Sequence, residues 1–197
     1  YQPATSTAKA KAQQSKIKER TIILDQASTT IAPYQLTAWI GPSGSGKTSL
    51  TSVVAGLVNP ADIDGSMIVN GEEGTLPKQL VGVVWQDDLL LSNLTVEETI
   101  YFAARLKTPH ETPDHEVKQL VEDVMDILGL SHIRDNLIGS SLSNQPGISG
   151  GERKRTAVAA ELVVRPSLLL LDEPTSGLDA TTAYSLMGTL KELASLG

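Results

Sequence analysis

Residues 41–48, Gly-Pro-Ser-Gly-Ser-Gly-Lys-Thr, constrain this chain more than any other stretch. They fit the spacing G-x-x-x-x-G-K-[ST], that of a loop wrapped around a polyphosphate. Gly41, Gly44 and Gly46 carry no Cβ, so backbone amides can approach phosphate oxygens closely, with Pro42, Ser43 and Ser45 filling the turn between them. The flanks agree with the motif. Leu36 to Ile40 is predicted as a buried strand and Thr48 to Leu57 as a helix, so the loop runs into a helix N-terminus. Amides and dipole there favour an anion. Lys47 then reaches the β- and γ-phosphates, the Thr48 hydroxyl binds Mg²⁺, and Ser49 shares the first helical turn. The octapeptide also arises by chance, and the strand and helix beside it weigh against that reading.

A second signal matches the first. Leu168 to Leu171 is an apolar run short enough for a central parallel strand, and it delivers Asp172 to its C-terminal end. An aspartate there is the partner a P-loop needs to hold Mg²⁺, directly or through water, and Glu173 beside it suits the role of proton acceptor from attacking water. A strand running into an acidic turn is the bland alternative. A third feature, Ser149-Gly150-Gly151-Glu152, opens a helix and makes another anion-binding N-terminus, or simply a glycine-rich cap with no ligand.

Between these motifs the pattern is mixed α/β. Thr21 to Leu24 and Ser66 to Val69 read as short strands, the latter entering an Asn70-Gly71 turn, and these two flank the P-loop unit as a small antiparallel element. Val81 to Trp85 is another apolar strand, ending at Gln86. Thr95-Val96-Glu97-Glu98 is a capping-box pattern opening a helix to about Leu106. A further helix opens at Pro113 and Asp114, with Val117, Leu120, Val121, Val124, Ile127 and Leu128 at helical spacing and Gly129 as its stop. Helices are also predicted over Ser149 to Val164 and from Ala180 to Leu196. The domain reading is a polar tail over 1–20, and one α/β domain over 21–197 with a helical insertion at about 87–148.

Composition narrows the partners. A net charge of −7 argues against a nucleic-acid-coating surface. With no cysteine there is no disulfide framework or thiolate metal site. No apolar run reaches the ~18 residues of a membrane span. Trp39 and Trp85 lie in predicted strands and suit core packing, His110, His115 and His132 suit exposed positions, and Asp87-Asp88 suits a solvated acidic turn better than a metal site. Arg153, Lys154 and Arg155 either contact another domain or face water.

In this order the P-loop, Gln86, Ile148 to Glu152, Leu168 to Glu173 and Ser176-Gly177-Leu178-Asp179 resemble an ATP-binding cassette (ABC) ATPase, from about residue 21 onward. The resemblance implies a P-loop NTPase fold, a parallel sheet with flanking helices, a small antiparallel β subdomain and a helical insertion, incomplete at the C-terminus. It implies ATP and Mg²⁺ as ligands, with Thr48, Gln86 and Asp172 around the metal and Lys47, Gln86 and Glu173 in catalysis. Ser149, Gly150, Gly151 and Glu152 correspond to the signature segment, which binds ATP held by a second cassette, and Ser176 to Asp179 to the D-loop at that interface. Gln86-Asp87-Asp88, Leu94 to Thr99 and Gly151 to Arg155, with Glu152 where other subfamilies have glutamine, are similar to the G subfamily of exporters. That implies a membrane domain in the same protein and a cassette on the cytoplasmic face. A soluble ABC-type ATPase and a non-hydrolysing nucleotide-binding module are the alternatives. Two departures stand out: there is no adenine-stacking aromatic near Thr21, and the expected switch histidine lies beyond Gly197. The fragment is therefore expected to bind ATP and hydrolyse it poorly.

Overall fold

The computed structural model describes residues 22–139 and 147–196; the predicted tail over 1–20 lies outside them. The elements are α1 (Lys47–Val54), β1 (Ile68–Val69), β2 (Glu72–Glu73), β3 (Val81–Val84), α2 (Val96–Lys107), α3 (Asp114–Ile127), α4 (Gly150–Leu162), β4 (Leu168–Leu171) and α5 (Ala180–Leu196), with short 3₁₀ turns between them. The chain is α/β, as expected. β3 and β4 pair in parallel, with Val81 opposite Leu168 and Val84 opposite Leu171. β1 and β2 form an antiparallel hairpin across Asn70-Gly71, where Asn70 and Gly71 both take positive φ as a tight hairpin turn requires.

Two predicted strands are not formed. Thr21 to Leu24 and Leu36 to Ile40 have no strand pairing from residue 22 onward, and Thr21 itself lies outside the described residues. Ile22 and Ile23 are exposed, and Ile40 is 94% exposed. The reason is physical. A strand is held by hydrogen bonds to a neighbour, and an apolar run reveals the side chains but not the partner. The hairpin is correspondingly the only antiparallel pairing of named strands among the described residues, so the strand at Thr21 to Leu24 does not join it.

The core sits where α2, α3 and α4 pack together behind the β3–β4 pair. Val96, Ile100 and Ala104 of α2, Val117, Val121 and Met125 of α3 and Val158 and Ala159 of α4 are buried at helical spacing, and Leu186 and Leu190 of α5 close one side. Gly82 lets α4 approach the sheet, since a Cβ there would lie 3.0 Å from Leu169 Cδ1 and 3.3 Å from Glu161 Cβ.

The start of α2 is fixed by local chemistry. The Thr95 hydroxyl accepts from Glu98 N–H at 3.1 Å, and Glu98 Oε2 accepts from Thr95 N–H at 2.9 Å. The next free amides, of Val96 and Glu97, donate to the carbonyls of Asn136 and Arg134, each at 3.1 Å. Every early donor of α2 thus has a partner, and α2 is tied to the segment leading out of α3. Thr95→Ala is expected to lower unfolding free energy by about 1 kcal/mol. Urea denaturation should show a lower midpoint at unchanged slope; an unmoved midpoint would mean that the cap contributes nothing.

Candidate functional site

The shared register of β3 and β4 builds the site. The strands end together, and Asp172 N–H continues the ladder by donating to Val84 O at 2.8 Å. Gln86, two residues past β3, and Asp172-Glu173, just past β4, therefore emerge side by side. Gln86 Nε2 donates to Glu173 Oε2 at 2.9 Å. Glu173 takes a left-handed φ of 46°, which is uncommon for a residue with a side chain and turns the chain sharply at the strand end.

The P-loop meets this strand end through a single bond. Thr48 Oγ1 donates to Asp172 Oδ2 at 2.7 Å, joining residues 124 apart in the sequence. Asp172 is 6% exposed. Around the loop, Gly44 and Gly46 have φ of 79° and 89°, a conformation natural to glycine, and Ser45 N–H donates to Pro42 O at 3.2 Å. Gly46 stands at the cap of α1 and makes no side-chain cap hydrogen bond to the first helical amides. Lys47 folds back over the loop, its Nζ donating to Gly41 O and Pro42 O at 3.0 Å each. The lysine ammonium thus sits at the cradle, held by two carbonyls, which a competing anion can replace.

The oxygen set suits Mg²⁺. Thr48 supplies a hydroxyl and Asp172 a carboxylate, both hard donors. Among the described residues no cluster of three His, Cys, Asp or Glu side chains gathers to hold a metal. Mg²⁺ takes one or two protein oxygens, keeps waters and shares phosphate oxygens, so this sparse set fits it better than a metal needing a full protein cage.

The Ser149–Glu152 segment is held by a second capping box, whose pattern Ser149-x-x-Glu152 the sequence shows but the sequence reading did not use. Ser149 N–H and Ser149 O–H both donate to Glu152 Oε2 at 2.7 Å. The Ser149 hydroxyl, more than any other neighbour, holds the Glu152 carboxyl below its ordinary value. A depressed carboxylate pKa adds stability that is complete above the ordinary value near 4.5 and is lost as pH falls through the lower folded-state value. Denaturant titrations from about pH 6 down to about pH 3 should show a fall in stability that Glu152→Gln flattens; superimposable profiles would contradict this.

Gly151 packs α4 against the start of α5, since a Cβ there would run into the Thr182 methyl. Gly150 lies beside Leu178, with 4.0 Å from its ideal Cβ to Leu178 Cδ2. The Ser149–Glu152 and Ser176–Asp179 segments are thereby packed together. Asp179 caps α5, its Oδ1 accepting from Thr181 and Thr182 N–H at 3.0 Å each and its Oδ2 from Thr182 Oγ1 at 2.5 Å. Ser176 and Gly177 lie in the exposed turn between Glu173 and this cap.

Two expectations change. Lys154 neither faces water nor is available to another domain. It is buried, with Nζ 2.7 Å from Asp88 Oδ1. Asp88 is accordingly an ion-pair partner rather than part of a solvated turn, while Asp87 is exposed as expected. Their positions 66 residues apart give no local signal. His110, His115 and His132 are exposed, as expected. Trp39 is half-buried and donates to Thr29 Oγ1 at 3.1 Å, outside any strand, and Trp85 is half-buried just after β3.

With this geometry in place, the ABC transporter family profile matches residues 24–176. The chain belongs to the ABC transporter family. This ABC domain is 46% identical over 177 residues to ABC transporter G family member 24 of Dictyostelium discoideum, covering 89% of this chain and 15% of that protein. It is 43% identical over 176 residues to ABC transporter G family member 22 of Arabidopsis thaliana, covering 89% of this chain and 23% of the relative. It is also 45% identical over 178 residues to G family member 21 of the same plant, covering 90% and 26%. The ABC domain is thus of the G subfamily and spans about a quarter or less of the length of these relatives. Among its described residues no helix is long and apolar enough to cross a membrane.

Proposed function

We propose that this chain is the nucleotide-binding domain of a G-type ABC exporter. It binds Mg-ATP in a dimer of cassettes and hydrolyses it on the cytoplasmic face, driving transport through a membrane domain of the same protein. The observation that carries this reading is the Thr48–Asp172 bond, which brings the P-loop to the acidic strand end. The Gly44–Thr48 amides and Lys47 receive the phosphates, with Lys47 exchanging its bonds to Gly41 and Pro42 for phosphate oxygens. Thr48 and Asp172 would hold Mg²⁺, with Gln86 nearby, and the bound ion would supply charge neutralisation at the phosphate oxygens.

Glu173 accepts the proton of the attacking water. In the structure its Oε2 is occupied by Gln86, so Gln86 both positions Glu173 and competes for it. Ser149, Gly150 and Gly151 of one cassette face the γ-phosphate held by the other, and Ser149 must then release its hydroxyl from Glu152. Ser176 to Asp179 line the same interface. A single cassette is therefore expected to bind ATP far better than it hydrolyses it.

Calorimetric titration with ATP, with and without Mg²⁺, followed by light scattering, tests this. Magnesium-dependent binding and an increase in mass toward a dimer are expected. Heat-silent titrations under both conditions would contradict the reading.

A further inference from the structure

We propose that Lys154 is a positioning residue that ties the signature helix to the hydrolytic carboxylate through the backbone of Gln86. Lys154 lies on α4, the helix that Ser149 caps, and is only 3% exposed. Its ammonium has three N–H groups to place while it is buried from bulk solvent. Two meet carbonyls just past the end of β3: Nζ donates to Gln86 O at 2.9 Å and to Trp85 O at 3.3 Å. The charge is balanced by Asp88 Oδ1 at 2.7 Å, whose side chain is itself 11% exposed. At 2.7 Å the Asp88 contact is a charge-assisted partner for the remaining N–H, while the two bonds to backbone carbonyls are the ones that hold the chain at Trp85 and Gln86.

The link continues to the chemistry. The same Gln86 whose carbonyl Lys154 grips donates its side-chain amide to Glu173 at 2.9 Å. Signature helix, Lys154, Gln86 and Glu173 thus form an unbroken chain of directional bonds. The neighbouring cation takes no part in it, since Arg153 donates instead to Ile138 O and Gly139 O at 2.9 and 2.6 Å. A shift of α4 when Ser149 engages a partner's nucleotide would move Gln86 through Lys154, and with it the group that occupies Glu173. This inference rests on the functional reading above. It adds to that reading a fixed route by which the signature segment acts on the proton acceptor of its own chain.

The test compares wild type, Lys154→Met, Lys154→Arg and the double variant Lys154→Met/Asp88→Asn. The double variant removes both charges together, because an unpaired buried carboxylate can by itself unfold the protein. Amide hydrogen exchange is read without nucleotide on this chain. MgATP affinity is read on the same material, and kcat and KM in the intact protein that contains it. Lys154→Met and the double variant should speed exchange at residues 86–91 about tenfold or more while residues 156–162 stay protected. Both should keep MgATP affinity within about twofold and lower kcat roughly ten- to a hundredfold at little-changed KM. Lys154→Arg, which keeps a donor to the carbonyls, should recover part of kcat. Unchanged exchange at 86–91, or a double variant with wild-type kcat, overturns the link, because Lys154 would then do no more than neutralise Asp88. A wild type that binds no MgATP removes the nucleotide reading and the hydrolytic meaning of the link with it, a result distinguishable from normal binding with unaltered exchange.

Discussion

Lys47→Ala is expected to remove measurable MgATP binding, raising Kd by about a hundredfold or more. A hydrogen bond to a charged group contributes about 1.5–3 kcal/mol, so one ammonium shared between two phosphates accounts for a change of that size. The fold should be indifferent. Lys47 is not in the apolar core, and its partners, the Gly41 and Pro42 carbonyls, are in exposed residues and can turn to water. Stability is therefore expected to stay within about 0.5 kcal/mol of wild type. Calorimetry beside thermal denaturation separates the two effects. Equal ATP affinity in the two proteins would defeat the phosphate role of the loop.

Glu173→Gln should do the opposite, keeping nucleotide binding and losing turnover. The side chain lies at the exposed strand end, and a glutamine carbonyl can still accept from Gln86 Nε2 at the 2.9 Å now seen for the carboxylate. Geometry is preserved while the basic oxygen is lost. General-base catalysis is worth roughly 10²- to 10⁴-fold, and a fall of that order in kcat is expected in the intact protein, with Kd for MgATP unchanged. Slower release of the nucleotide-bound dimer should accompany it. A variant that hydrolyses ATP at the wild-type rate would take the base role from Glu173.

What the sequence revealed follows the range of the forces involved. The P-loop, the acidic strand end and the Thr95 cap were legible because each is a local device: glycines at fixed spacing, an aspartate after an apolar run, a threonine three residues before a glutamate. The Ser149–Glu152 box carries the same local signal, and its Gly150-Gly151 pair fits an anion-binding helix start equally well. The capping of α5 by Asp179 has no comparable signal, since the residue stands out in the sequence only as the last of the Ser176–Asp179 motif. The Thr48–Asp172 bond spans 124 residues, yet it was foreseeable, because a P-loop and an aspartate at the end of an apolar strand are expected to meet at one phosphate site.

Other features had no such logic. Nothing near Lys154 signals a buried ammonium, because its partners are two backbone carbonyls, which any residue supplies, and an aspartate on a distant loop. Leu36 to Ile40 failed as a strand for the reverse reason. Its side chains are suited to a sheet, but pairing depends on a neighbour that local sequence does not name. Ile40, 94% exposed beside the P-loop, shows how far an apolar run can be from a strand.

The most direct measurement is a crystal structure with magnesium and a slowly hydrolysed ATP analogue. Phosphate oxygens are expected on the Gly44–Thr48 amides, with Lys47 Nζ withdrawn from the Gly41 and Pro42 carbonyls and the metal between Thr48 and Asp172. A bound triphosphate elsewhere, with Lys47 still folded onto those two carbonyls, would contradict the account.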